Sequence, residues 1–317
     1  MQDGDTADPR QAAPAGNRLP LTIVTSIAPK ELPKQQRAVD SWLTLGFRVV
    51  SLNVSAECRV LQPAFPAVEF CCPPRDGSAI AGKPLVYFDD ILAWYREREE
   101  QTICGIVNSD IVMAEVQCAM EVLRRAATGG MVISSRIDVA TFDPPVGKWY
   151  PDGYDLFFFD RTVLHSYTPS NFMLGMPWWD YWAPSVPLLR GFPVRRLTSP
   201  LIYHEQHPPN YSKNAYYDFA REYIEKMTNV SLAPLRSRLP SATIRAEFSI
   251  DAHKLWDEAF NFLRDHSTEL PVPAFDVAAL EQSARWLNSN GHEREALKLL
   301  NEAAKIAAHS AHSAATA

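Results

Sequence analysis

The strongest constraint on this chain is an alternation of short, dense apolar runs that end in polar residues with stretches of helical spacing. Leu21 to Ile27 (LTIVTSI) is a β-rich run. Ala28-Pro29 breaks it, and Leu32, Gln36, Val39, Trp42 and Leu43 then mark one side of a helix stopped by Gly46. Phe47 to Val54 (FRVVSLNV) reads as a second strand. Strands this apolar need cover on both faces, which predicts a largely parallel sheet between helices. The pattern continues with a helix from Pro84, placed in its first turn, to about Glu100, whose buried face is Leu85, Phe88, Ile91, Leu92 and Tyr95. A strand over Thr102–Val107 follows, then a helix from about Ala114 to Ala127 stopped at Gly129-Gly130, then a strand over Met131–Ser135. The expected fold class is α/β, with a central mostly parallel sheet flanked by helices.

Beyond residue 140 the pattern turns to loops and aromatic segments, with Tyr154–Phe159 (YDLFFF) the clearest strand. Residues 214–228 and 251–264 read as amphipathic helices, the second with Asp251 as a cap. Val277, Leu280, Ala284 and Leu287, then Ala296, Leu299, Leu300, Ala303 and Ile306, predict a helical hairpin turning at Asn290-Gly291. The expected organisation is a flexible arm over residues 1–18, a main domain over 19–212, and a helical extension over 213–317 that packs on it.

Composition narrows the function. Thirty-one Lys and Arg against 37 Asp and Glu give a net charge of -6, the wrong sign for releasing phosphate counterions, so nucleic acid is not an expected partner. No apolar stretch reaches the roughly 18 residues that span a bilayer, and the first residues lack the basic start and apolar run of a signal peptide. A cytoplasmic protein without a transmembrane segment is expected. Five cysteines, an odd count with no CxxC pair, fit reduced thiols better than a disulfide framework or a zinc cage.

In open α/β sheets ligands bind beyond the carboxyl ends of the strands. Thr25 and Ser26 end the first strand, Asn53 ends the second, Asn108-Ser109-Asp110 follow the strand at 107, and Arg136 follows the next. Each alone is also ordinary turn chemistry, and Ser109 or Asp110 would serve as a helix cap. At the crevice, however, the Asp110 carboxylate is placed to bridge a hard divalent cation to a diphosphate. Downstream, Tyr203-His204-Glu205-Gln206-His207 is not the HExxH zinc signature, because its histidines are three apart. His204 or His207 is instead a candidate to complete coordination begun by Asp110. Between them lies Gly175-Met176-Pro177-Trp178-Trp179-Asp180-Tyr181-Trp182. Indoles serve equally as core and as sugar-stacking faces, and Asp180 among them reads either as a desolvated general base or as a helix cap.

Together these segments resemble soluble nucleotide-diphospho-sugar transferases of the GT-A fold, glycosyltransferase family 2-like. The matching stretches are TIVTSI, IVNSDI (Ile106–Ile111) in place of an Asp-x-Asp motif, Ser135-Arg136-Ile137-Asp138, GYDLFFFDR (Gly153–Arg161), FMLGMPWWDYW (Phe172–Trp182) and IYHEQHPPNYS (Ile202–Ser212). The resemblance covers about residues 19 to 212. It implies a glycosyltransferase that moves a sugar from a nucleotide-diphosphate donor to a glycan or other hydroxyl acceptor, with Mn2+ or Mg2+ on the diphosphate. Asp110 and His204 or His207 would hold the metal, and Asn108 departs from the pattern by replacing the first acid with an amide. Thr25, Ser26 and Asn53 would line the nucleoside pocket, with Asn108, Ser109, Lys83 and Arg136 also on the donor side. Asp155, Trp178 and Trp179 would meet the acceptor, and Asp180 would be the base of an inverting reaction.

Two rival functions remain in view. Asn108 favours a non-catalytic nucleotide-sugar or glycan-binding module. A sugar nucleotidyltransferase needs a Gly-rich basic loop after the first strand, and Ala28-Pro29-Lys30-Glu31 has no glycine.

Overall fold

The structure, a computed structural model, describes residues 19–114, 119–142, 145–208, 211–229, 252–270, 277–289 and 291–315. In chain order β1 (Thr22–Thr25) leads to α1 (Leu32–Thr44), β2 (Arg48–Leu52), α2 (Ser55–Leu61), β3 (Glu69–Cys71) and α3 (Ser78–Ala81). Then come α4 (Phe88–Arg96), β4 (Ile103–Val107), β5 (Ile111–Met113), α5 (Ala119–Ala127), β6 (Met131–Phe142) and β7 (Pro145–Asp160). A 3-10 turn at Arg161–Ser166 precedes α6 (Trp179–Leu189), β8 (Val194–Glu205) and α7 (Lys213–Asn229). The chain closes with α8 (Ala252–His266), β9 (Thr268–Leu270), α9 (Val277–Ser289) and α10 (Glu293–Ala315).

The nine strands among the described residues form one sheet in the order β3-β2-β1-β4-β7-β6-β8-β5, with β9 also paired to β8. β1 is parallel to β2 and β4, β2 to β3, and β8 to β6 and β9. β7 runs antiparallel to β4 and β6, and β5 antiparallel to β8. This is the expected Rossmann-like α/β sheet, mixed at its β7 and β5 positions.

The strands are apolar on both faces because both faces are covered. Val24, Val50 and Phe157 join one core with side chains of α4, α6, α7 and α8. Their chain neighbours Ile23, Val49 and Phe158 join the other, with α1, α5, α9 and α10. Period-two alternation thus distributes each strand between two layers. Ala284, Leu287, Ala296, Leu299 and Ala303 of the terminal hairpin sit in this second core, whereas Leu300, expected on its buried face, is exposed.

Several elements depart from the sequence reading. The helix expected from Pro84 begins at Phe88, and Leu85 pairs with Gly77 across a loop instead. Asn108–Asp110 cap no helix: they form a turn into β5, as Ile111 N donates to Asn108 O at 3.2 Å. β6 and β7 run well past the short strands expected, because each completes the other's backbone hydrogen bonds along a ribbon that polar side chains leave unmarked. The arm over residues 1–18, the Asp251 cap and Cys118 lie outside the described residues; Cys58, Cys71, Cys72 and Cys104 are free thiols.

At the centre of the sheet, the side chain of Tyr95 bonds the backbone of β1 and β4. Its buried hydroxyl accepts from Gly105 N at 2.8 Å and shares its one proton between Gly105 O at 2.7 Å and Thr22 O at 2.8 Å. Tyr95→Phe would leave that N–H buried without a partner, so a loss of about 1–3 kcal/mol is expected in urea unfolding. An unchanged transition midpoint would contradict this role.

Candidate functional site

The site begins with strand register. In the β6–β8 pair, Asp138 lies opposite His204. On the other side of β8, Ile111 of β5 lies opposite the same His204, which brings Asp110, one residue earlier, to that histidine. His207 follows two residues after β8 ends. The His207 Nε2 to Asp110 Oδ2 distance is 3.1 Å, the two Nε2 atoms are 3.2 Å apart, and His204 Nε2 to Asp110 Oδ2 is 3.6 Å.

The remote ring nitrogens settle the tautomers. His204 Nδ1 lies 3.1 Å from Asp138 Oδ1, and His207 Nδ1 lies 2.9 Å from the Pro208 carbonyl oxygen. Both partners are acceptors, so each Nδ1 carries a proton. In the neutral rings both Nε2 atoms therefore present lone pairs to each other and to a carboxylate oxygen. Three electron-rich atoms converging this closely call for a proton or a cation among them. Ligands about 2.1 Å from a common ion lie about 3.0–3.4 Å apart in octahedral or tetrahedral geometry; two of the three spacings here fall in that range and the third, between His204 and Asp110, is 3.6 Å. Among the described residues this trio is the one His/Cys/Asp/Glu group fit to hold a metal ion.

Asp138 also ties the trio to a wider network. Its Oδ1 accepts from Arg136 Nε at 2.7 Å, while Arg136 pairs through its other arm with Asp155. Asp155 in turn accepts from the Asn108 side chain, and its backbone oxygen accepts from Asn108 N at 3.1 Å. One chain of contacts therefore links Asn108, Asp155, Arg136, Asp138 and His204. Arg136 fits because register shifts on β6 and β7 re-aim it and because Gly153 stands beside it. A Cβ at Gly153 would lie 2.8 Å from Arg136 Nη1 and 2.6 Å from the Tyr150 ring.

Except for Asp138, which stands behind His204, these groups line a cleft of 530 Å³. It contains Ser26, Lys83, Asn108, Ser109, Asp110, Arg136, Asp155, Trp179, Asp180, His204 and His207, which is most of the set expected from sequence. Asp180 stands in the first turn of α6. Burial, then the nearby Asp155 carboxylate, push it up to about 7 against the opposing pull of Arg136. It also accepts from Tyr181 N at 3.2 Å, but the helix N-cap is Trp178 without a side-chain cap hydrogen bond, so the cleft reading and not the cap reading describes its position. Its helix starts from Trp178, which has φ 78°. That left-handed backbone is unfavourable for so bulky a residue and is held by complete burial of the indole and by an Nε1 hydrogen bond to Tyr216 O at 3.1 Å.

Three expected residues do not face the cleft. Thr25 is fully buried and donates to Val107 O at 2.6 Å. Asn53 is fully buried, donating to Ile27 O and Glu57 while accepting from Ser51. Both lock strand ends together, which corrects their placement in a nucleoside pocket. Trp178 belongs to the core, which corrects its placement at an acceptor. Conversely, Lys34, Arg37, Tyr150, Glu205, Tyr211 and Trp256 line the cleft without having been singled out. Glu205 holds Lys34 at 3.0 Å and Arg37 at 3.1 Å. Its neighbour in sequence, His204, was the available signal.

No family model matches the sequence, and no curated protein matches it. Among solved structures, the chain is similar to Rv0371c from Mycobacterium tuberculosis H37Rv, with TM-score 0.36 and 14% identity over 62% of this chain and 95% of that one. It is also similar to 4-diphosphocytidyl-2C-methyl-D-erythritol synthase from Anaerococcus prevotii, with TM-score 0.37 and 8% identity over 63% and 94%. HddC from Yersinia pseudotuberculosis gives TM-score 0.32 and 11% identity over 63% and 97%. Similarity this low carries no functional argument.

The trio makes stability depend on pH. Burial opposes charge on His204, yet Asp110 and Asp138 outweigh it and raise the imidazole to about 9. A group raised above its ordinary value of about 6.5 stabilises the fold fully below that value and loses its contribution as pH rises through 9. In EDTA, the Tm advantage of the wild type over His204→Asn is expected to shrink between pH 6.5 and 9.5. An advantage that grows over that interval would contradict the assignment.

Proposed function

We propose that the chain is a nucleotide-sugar-dependent glycosyltransferase that uses a divalent cation held by Asp110, His204 and His207. The observation carrying this reading is the convergence of those three ligand atoms beside the Asn108–Asp110 turn, at the carboxyl end of β4. Two imidazoles and one carboxylate suit Mn2+ and its transition-metal neighbours better than Mg2+, which prefers all-oxygen shells. Bound there, the ion would supply charge to neutralise the leaving diphosphate.

The chain's own residues supply the rest. Lys30 and Lys83 line the same cleft, and the Lys83 ammonium is pushed down by burial and by Lys30. An anion between them would relieve both effects, which suits a phosphate group. Asp138 orients His204 and fixes its tautomer, a role in which an outer partner tunes the ligand. Asp180 would accept the proton of an attacking hydroxyl at near-neutral pH, which its raised value of about 7 supports. Burial, Asp155 and Arg136 together set its basicity. In an inverting reaction Asp180 would be the base.

Calorimetry with UDP and GDP is expected to show binding that requires Mn2+ and weakens at least tenfold in Asp110→Ala. Binding indifferent to both metal and substitution would overturn the metal-dependent reading. With the correct donor and acceptor, Asp180→Asn is expected to retain donor binding and lose about 10²–10⁴ in kcat. The wild-type rate should rise with pH through about 7, where Asp180 deprotonates. An unchanged kcat in the variant would remove Asp180 from the reaction, and donor binding without turnover would leave a binding module.

A further inference from the structure

We propose that the acceptor is a carbohydrate, and that its sugar ring is held against an aromatic wall formed by Tyr150, Tyr211 and Trp256 beside Asp180. The inference rests on the glycosyltransferase reading and narrows the acceptor class that reading leaves open. It also assigns a substrate-binding role to the segment after residue 210.

The two halves of the cleft differ in chemistry. Ser26 and Lys30 follow β1, Glu57 follows β2 and Lys83 follows β3, so the cleft wall at the β3-β2-β1-β4 side is polar and carries ammonium groups. Tyr150 comes from β7, and Trp179 and Asp180 from the start of α6, which packs on β6, β7 and α8. Trp256 comes from α8 and Tyr211 from the turn before α7. The wall on this side is aromatic and contains the proposed base.

Its rings are fixed from behind. The Trp256 ring lies 4.4 Å from that of Tyr181, 5.5 Å from Trp178 and 6.3 Å from Tyr216. Tyr216 is itself 6.3 Å from Tyr211, with their planes 12° apart. Tyr150 is 36% exposed and carries the Arg136 guanidinium 4.8 Å from its ring centroid. Trp256 and Tyr211 remain only partly buried despite these contacts. Pre-positioned rings lose little conformational freedom when a ligand stacks on them.

Such a wall recognises a ligand with an apolar face and a polar rim. A pyranose presents axial C–H groups on its face and hydroxyls around its edge. Stacked here, it would turn hydroxyls toward Asp180, Asp155 and Arg136. A nucleobase is the rival occupant of an aromatic surface. The ammonium-lined half of the cleft, however, is the better place for the phosphorylated donor.

The test is saturation-transfer NMR on the full-length protein in EDTA, with cellobiose, maltose, lactose and mannobiose as probes and uridine as the competing occupant. At least one disaccharide is expected to receive saturation on its ring C–H protons. That signal should fall at least tenfold in Trp256→Ala and in Tyr150→Ala while surviving in Trp256→Phe, which keeps an aromatic face. The proposal is overturned if no disaccharide is saturated, if the signal ignores both alanine substitutions, or if uridine alone is saturated. Parallel calorimetry of UDP with Mn2+ separates the two readings. Retained UDP binding with no sugar signal sinks the acceptor class alone, whereas loss of both sinks the glycosyltransferase reading as well.

Discussion

The pairing of β8 between β6 and β5 is the interaction on which this site depends. Backbone hydrogen bonds in a sheet leave no latitude in register, since a slip of one residue turns every side chain to the opposite face. With Asp138 and Ile111 both opposite His204, the imidazole has an acceptor on one flank and Asp110 on the other. The β8 strand thus performs two tasks at once. Its apolar residues Leu197 and Ile202 anchor it in the core, and its last residues carry His204 and Glu205 into the cleft.

The buried Arg136 guanidinium at the centre of the cleft's charge network is paired on both sides. Arg136 lies between Asp138 and Asp155, which hold it firmly protonated against the cost of burial. Removing one carboxylate from such a pair leaves an uncompensated charge, so the network resists piecemeal change. Asn108 fits this arrangement: its amide donates to Asp155, whereas an aspartate there would place a third carboxylate against the pair. Backbone strain collects in the same place. The non-glycine residues with positive φ among those described are Glu31 and Trp178, each at the start of a helix that borders the cleft. Burial of the indole sustains the conformation at Trp178, whereas Glu31 is exposed and its side chain pairs with Lys34 at 3.0 Å.

The sheet was legible in the sequence where apolar density is high. LTIVTSI, FRVVSLNV, TICGIV and YDLFFF all became strands because burial on both faces leaves little choice of composition. The distal half of β6 and β7 was not legible, since Arg136, Asp138, Lys148 and Asp152 break the apolar pattern that marks a strand. Asp110, His204 and His207 were recognisable as ligand types, but their meeting depends on a pairing between strands some 90 residues apart, which no local pattern encodes. Thr25 and Asn53 illustrate the converse: polar residues at strand ends point to a crevice, yet these two are consumed by hydrogen bonds that lock neighbouring loops. Tyr211 and Trp256 resembled ordinary core aromatics, and only the folded arrangement brings them to Asp180.

The central claim is that strand register builds a cation site from Asp110, His204 and His207. Anomalous diffraction from crystals grown with Mn2+ and a nucleoside diphosphate tests it most directly. A manganese peak is expected within roughly 2.0–2.3 Å of Asp110 Oδ2 and both Nε2 atoms, with the nucleotide's phosphate oxygens completing the shell. A nucleotide bound in the cleft with no anomalous signal among these three residues, or with the peak elsewhere, would contradict it.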